Sequence, residues 1–305
     1  MVNLGSRAMI VAFSASQWTA RKYDKNASAE VAQNHGANND AGRYNKQLIA
    51  KKEIQKIEQI VGEARRYTDA NTLPWNDQGG RILSVDNYFD YTEGMRLRRE
   101  KFEAAIDVFS QNYPSLIEQA KIELNGLFND ADYPPVAKIR NRFDWRVSVF
   151  PLPQAGDFRV NLEADVVASV QKDIESRVTN IMEDAQKDLW NRLYKVVRHM
   201  ADTLGDPEKN KFHDTLVGNI IDVCKLLPKL NITQDPKLEQ MRVEVESKLT
   251  GWDSKTLKTD KKVRKDTAQT ANSILATMAS FMGGTDATTD APAQESDEGA
   301  FNAAA

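Results

Sequence analysis

Residues Glu163–Leu204 read EADVVASVQKDIESRVTNIMEDAQKDLWNRLYKVVRHMADTL. Val166, Val170, Ile174, Val178, Ile181/Met182, Ala185, Leu189, Leu193, Val196/Val197, Met200 and Leu204 recur in mostly four-residue steps. An α-helix turns once in 3.6 residues, so these side chains line one face. A left-handed coiled coil needs an average spacing of 3.5, and this stripe runs above 3.6. The spacing predicts one long helix inside a bundle, about 60 Å long at ~1.5 Å per residue. The fold class that follows is mainly α: an elongated helical bundle with one long central helix and a single β-hairpin packed on it.

Helical spacing also marks the flanks. Leu48, Ile54, Ile57, Ile60/Val61, Ala64 and Tyr67 form one stripe, broken by NTLPWNDQGGRIL at residues 71–83. Pro74 lacks a donor there, and Gly79 and Gly80 free the backbone. A second helix is expected from a cap at Asp86, with Tyr88, Tyr91, Met95, Phe102, Ile106 and Phe109 inward. A third is expected to start at Pro114 and run to Phe128. After the long helix, Asp206-Pro207 and Asp235-Pro236 each open another. Phe212, Leu216, Ile220, Cys224 and Leu227 face inward on the first of these, and Pro228 is expected to stop it. A last helix carries Val263, Ala271, Ile274/Leu275, Met278 and Phe281 and ends at Gly283-Gly284.

The period changes at residues 145–162, WRVSVFPLPQAGDFRVNL. Alternating Trp145, Val147 and Val149, then Phe158, Val160 and Leu162 after a Pro/Gly turn, predict the hairpin. A lone hairpin is marginal in water and must lie on helices. The opening residues, MVNLGSRAMIVAFSAS, read as a strand or a lead-in. Residues 1–46 are expected to form an irregular, short-helix segment packed on the bundle, with Ser28 capping the helix and Gly36 ending it. Residues 47–284 would be the helical domain. Residues 285–305 carry Asp286, Asp290, Glu295, Asp297 and Glu298 with no Lys or Arg, the composition of a disordered acidic tail.

The 305 residues are 41% apolar and 28% charged, ordinary for a globular protein with a sizeable core. One cysteine allows no internal disulfide and fits a reducing, cytoplasmic setting. No apolar run reaches the roughly 20 residues that span a bilayer, so no membrane is expected. Net charge is −3 overall. The five tail acids account for more than that, leaving the body at +2, too little to hold nucleic acid by bulk charge.

Catalytic chemistry finds few footholds. There is no GxxxxGK[ST] and no GxGxxG. Asp77–Arg81 is a glycine turn that could cradle a phosphate, although a plain loop explains it. His35, His199 and His213 have no ligand partner at helical spacing, and no metal or cofactor is expected. Cys224 falls on an apolar stripe, as a small hydrophobe does. Glu246 and Lys248 match an E-x-K nuclease fragment, but helical spacing turns them about 200° apart. Glu183, Asp184 and Asp188 remain as the one acidic cluster an enzyme could use, and a solvated face explains them as well.

Binding surfaces are better represented. Trp18, Arg21, Lys22, Tyr23, Arg43 and Tyr44 mix aromatics with cations near the N-terminus. Further basic clusters fall at Arg96/Arg98/Arg99/Lys101, at Arg140/Arg142/Arg146, and at Lys258, Lys261, Lys262, Arg264 and Lys265 with Lys255 and Trp252 nearby. Aromatic stacking with phosphate contacts is how single strands are held. Solvated helix faces and aromatic anchoring of an irregular segment are the alternatives, and Asp253, Asp260 and Asp266 interleave the last cluster.

Several segments together carry a resemblance: SASQWTARKYDKNASAEVAQNHGA, AGRYNKQLI, NTLPWNDQGGRIL, GDFRVNL, DLWNRLYKVVRHMAD, LLPKLNITQDPKLEQMR and SFMGG. They resemble an uncharacterised protein family of tailed bacteriophages and some bacteria, from about Trp18 to Gly284. Such families occur near MoxR-type AAA+ ATPases and CobT-like von Willebrand proteins. The resemblance implies an accessory or client of an ATP-driven remodelling module in the host cytoplasm during infection. It supplies no catalytic residues.

The sequence thus points to a non-enzymatic phage interaction protein with a protein partner, an AAA+ ATPase or a von Willebrand-type protein. The alternative is a DNA-binding protein for single strands whose acidic tail recruits partners. A virion structural component is the third class, and a second copy of the chain is a further candidate partner.

Overall fold

The N-terminal residues place a strand at the centre of a sheet. In the computed structural model, which describes residues 4–75, 79–154, 156, 163–206 and 212–282, the chain divides into two units. One takes Met1–Asp188 and Pro228–Gln234; the other takes Leu189–Leu227 and the chain from Asp235.

In the first unit the elements are β1 (Ala8–Ser16), β2 (Arg21–Tyr23), α1 (Lys25–Asn34), β3 (Asn45–Gln47), α2 (Lys51–Asn71), β4 (Leu73–Pro74), β5 (Gly80–Ser84), α3 (Tyr88–Leu124), β6 (Asp144–Pro151) and the first part of α4 (Ala164–Gly205). β4, β5, β1 and β6 form one antiparallel sheet in that order. β2 and β3 form a separate two-stranded ribbon.

The expected hairpin is corrected here. Its second arm, Phe158–Leu162, lies outside the described residues. Its first arm, β6, pairs instead with β1, from Met9↔Pro151 to Ser16↔Asp144. The physical reason is complementary alternation. Val11↔Val149, Phe13↔Val147 and Ala15↔Trp145 put apolar side chains on one face. The Phe13 and Trp145 rings lie 4.6 Å apart, and Trp145 meets Phe102 of α3 at 5.2 Å. On the other face Ala8, Ile10 and Ile82 are buried too. A strand covered on both faces reads as a nearly continuous apolar run, as AMIVAF does.

Against the sheet, α2 buries Ile54, Ile57, Ile60, Val61 and Ala64, and α3 buries Tyr91, Met95, Phe102, Ile106 and Phe109. The helix expected to stop before Pro114 does not. α3 is one helix of 37 residues with Pro114 inside it. Proline forfeits one backbone donor, while the adjacent Tyr113 is fully buried and donates its hydroxyl to the Pro134 carbonyl at 3.0 Å. Among the described residues there are therefore two long helices and not one, since α4 has 42 residues. Asp86 does not cap α3: Asn87 stands at its N-cap without a side-chain bond, and Ser84, accepting from the Asp86 N–H, opens the 3-10 turn at Val85–Asn87 just before it. α1 is capped by Asp24 and not by Ser28. Gly36 follows α1 at φ +60°, as expected of a helix-ending glycine.

The second unit holds the rest of α4, α5 (Leu216–Leu230), α6 (Pro236–Leu249), α7 (Ser254–Thr259) and α8 (Lys261–Phe281). Its core is Leu189, Leu193, Val197, Met200 and Leu204 of α4 with Ile220, Cys224, Val245, Ala271 and Met278. The stripe on α4 is buried at Met182 and Ala185 and through this stretch, whereas Val166, Val170, Ile174, Val178 and Ile181 keep solvent exposure. Asp235 caps α6 as expected, accepting from the Lys237 N–H, and its second oxygen accepts from the Trp190 indole at 3.1 Å. Pro228 does not end α5, which continues to Leu230.

Candidate functional site

Four groups of cations stand out in the sequence, and their surroundings separate them. On α3, Arg96 pairs with Glu93 and Glu100, and Arg99 pairs with Glu103. These are helix neighbours three and four residues apart, placed to neutralise one another. Arg98 lies over the Tyr67 ring at 3.7 Å and donates to the Gly94 carbonyl. Tyr67 in turn stacks on Tyr91 and donates to the Asp90 carbonyl. A Cβ on Gly94 would overlap the Tyr67 ring, so this close approach requires glycine. In the second group, Arg140 pairs with Asp107 and Arg146 with Asp144.

The N-terminal group is engaged by the fold in another way. Trp18 is half-buried, 6.2 Å from Phe109 and edge-on to Tyr113 at 5.6 Å. Arg21 sits opposite Gln47 in the β2–β3 ribbon and donates to its side chain. Arg43 lies over Tyr23 at 5.8 Å. Tyr44 lines a largely apolar surface groove with Val31, Ala32 and His35. Lys22 is exposed.

Beside them Lys46, only 4% exposed, donates to Asp132 at 2.7 Å, Asp24 at 3.0 Å and the Leu127 carbonyl at 2.8 Å. Burial disfavours its charge. The bonds to Asp132 and Asp24 outweigh that and lift its pKa above the ordinary 10.5. The Ala27 N–H, and then Lys46, hold the Asp24 carboxyl below its ordinary 3.8. Sequence spacing gave no sign of this cluster, whose three members are far apart along the chain.

The fourth group lies where α6 turns through α7 into α8. Lys258, Lys261, Lys262 and Lys265 are exposed and Arg264 is half-exposed. Among the described residues, none of the five makes an ion pair, hydrogen bond or ring contact with its side chain. Six cations face three acids between Asp253 and Asp266, and two of those acids serve the backbone. Asp253 accepts from the Thr256 N–H, and Asp260 from the N–H groups of Lys262 and Val263. Side-chain and backbone bonds to Thr256 hold Asp253 below its ordinary value. Trp252, in the preceding turn, is 49% exposed.

The remaining candidates take structural places. Arg81 of the glycine turn donates to Thr72 Oγ1 at 2.7 Å and to the carbonyls of Asp69 and Thr72, closing the C-terminal end of α2. Cys224 is fully buried, and burial pushes its thiol up to about 11. Glu246 pairs with Arg242 and Lys248 with Glu244 along α6. Asp184 pairs with Lys187, and His199 is exposed on α4. Among the described residues no three His, Cys, Asp or Glu side chains are grouped to hold a metal ion. No described helix is long and apolar enough to cross a membrane.

The chain matches no protein-family model, no curated protein and no solved structure. The phage-family resemblance, and the AAA+ and von Willebrand-type partners it implies, find no support there.

Proposed function

We propose that this protein acts by binding, and that the α7–α8 corner takes a polyanion, with single-stranded nucleic acid as the fitting chemistry. The observation that carries the reading is a set of five cations whose side chains make no ion pair, hydrogen bond or ring contact among the described residues. Lys258 has a structural use, since a cation suits the last turn of α7. Lys261, Lys262, Arg264 and Lys265 have none. They crowd the first turns of α8, whose first turn holds no acid, at the helix end where the peptide dipoles already concentrate positive charge. Cations there cost stability, so a role outside folding accounts for them best. The exposed indole of Trp252 adds a surface on which a base can stack.

The test is oligonucleotide binding by gel shift at two salt concentrations. Single-stranded oligonucleotide is expected to shift at low salt and to be released as salt rises, with a log–log slope of about −0.7 per phosphate contacted. Lys261→Glu with Lys262→Glu is expected to abolish the shift while circular dichroism stays unchanged. Absence of any shift at low salt overturns the reading.

A further inference from the structure

The basic corner continues into a groove. α6 and α8 pack side by side within the second unit. Glu244 and Lys248 of α6 face Thr270, Ser273 and Thr277 of α8 across a groove of about 410 Å³, lined also by the buried Ile274. Lys262, Asp266, Thr270, Ser273 and Thr277 follow one another by steps of three and four, so corner and groove share one face of α8. The groove residues lie about 12 to 22 Å beyond Lys262 along the helix.

Its polar atoms differ from those of the corner. A hydroxyl carries one donor and two acceptor lone pairs. Thr270 Oγ1 spends its donor on the Asp266 carbonyl at 2.9 Å, and Thr277 Oγ1 on the Ser273 carbonyl at 3.1 Å. Bonded back along the helix in this way, both oxygens are left as acceptors. Glu244 is an acceptor too, and one of its oxygens holds Lys248 at 2.7 Å. Asp266, between corner and groove, adds an exposed carboxylate. Phosphate oxygens bring no donor to such a wall. A ribose 2′-hydroxyl brings one at every nucleotide, and deoxyribose brings none.

We infer that the α6–α8 groove takes the sugar edge of a strand whose phosphates lie on the corner, and that the strand is single-stranded RNA in preference to DNA. This rests on the reading of the corner as a polyanion site, and names the kind of strand it takes. The corner's cations supply attraction that every nucleic acid shares. The groove's acceptors supply the choice of sugar. Lys248 stands at the groove wall, where an ammonium with three donors can keep Glu244 and still reach a passing phosphate. Donors on the bases suit the same wall, so a test holds the base constant and changes only the sugar.

Fluorescence anisotropy on the full chain at low salt provides that test. The probes are oligouridine of about 15 nucleotides, oligodeoxyuridine of the same length, and oligouridine methylated at every 2′-oxygen. All three carry the same bases and phosphates. The methyl ether keeps the ribose pucker and lacks only the donor. Oligouridine is expected to bind about tenfold tighter than either of the others, as two or three hydrogen bonds of a few-fold each multiply. Thr270→Val with Thr277→Val keeps the side-chain shape, removes the acceptors, and is expected to erase the preference, with circular dichroism confirming the fold. Equal affinity of the wild-type chain for all three probes overturns the inference and leaves the polyanion site standing. A preference for oligouridine that survives the double substitution overturns the assignment to the groove. No binding of any probe sinks the polyanion reading and the choice of sugar with it.

Discussion

The N-terminal segment and the α7–α8 corner look alike in the sequence: each sets cations beside aromatic residues. In the fold they differ. Trp18 packs on α3, Arg21 and Arg43 lean on Gln47 and Tyr23, and Lys46 is enclosed by Asp24 and Asp132. At the corner four lysines stand in solvent with Arg264 half-exposed, and two of the three local acids cap helices. The contrast teaches that a basic–aromatic cluster is informative only once its internal partners are known. Engaged cations hold a fold together, while unengaged ones are available to something else.

The largest expected effect lies on the engaged side. Lys46→Ala leaves two nearly buried carboxylates facing each other, which costs about 3 kcal/mol or more. A denaturation midpoint reads it. Lys261→Ala with Lys262→Ala, read in the same way, is expected to stay within about 0.5 kcal/mol. Equal losses would erase the distinction.

The same lock carries a pH signature. Asp24 is lowered in the folded state, so its contribution is present above its ordinary value of 3.8 and is lost as pH falls through the lower folded value. Lys46 is raised, so its contribution is full below 10.5 and is lost as pH rises through the higher folded value. Stability of the wild-type chain is expected to fall at both limits. Both dependences should shrink in Lys46→Ala, measured by urea titration across pH.

Gly94→Ala comes next. In most helix interiors this change is stabilising by about 1 kcal/mol. Here the methyl group displaces Tyr67 and unseats Arg98, and a loss of about 2 kcal/mol is expected from overpacking. Thermal unfolding gives the sign. Trp252→Ala is smaller and falls on binding: loss of one stacked base, about 1 kcal/mol of oligonucleotide affinity, with little change in stability. Smallest is Lys261→Glu, which places an acid in the first turn of α8 and is expected to stabilise by about 0.5 kcal/mol while it weakens oligonucleotide binding. Opposite signs on the two readouts would separate the corner from any structural cation.

The helices were legible because the 3.6-residue period survives wherever one face is buried, as at Ile54–Ala64 and Leu189–Leu204. The sheet was less so. Trp145–Val149 announces a strand, but its partner β1 lies more than a hundred residues earlier, and alternation says nothing about distance along the chain. The continuous helix through Pro114 was hidden because local preference argues for a break there, and the burial of Tyr113 decides otherwise. The candidate cations could be counted in the sequence. Which of them were already spoken for could not, because Lys46 meets Asp132, and Arg140 meets Asp107, only after folding.

The pairing of β1 with β6 has a consequence for synthesis. β5 can align along one side of β1 once Ser84 has left the ribosome, but the opposite side must wait for Asp144–Pro151. Through that interval the nascent chain presents an apolar strand with one open edge, the form most prone to pair with a neighbour. A chain interrupted before residue 144 should therefore aggregate as it emerges, and a chaperone that shields Ala8–Ser16 should rescue its solubility.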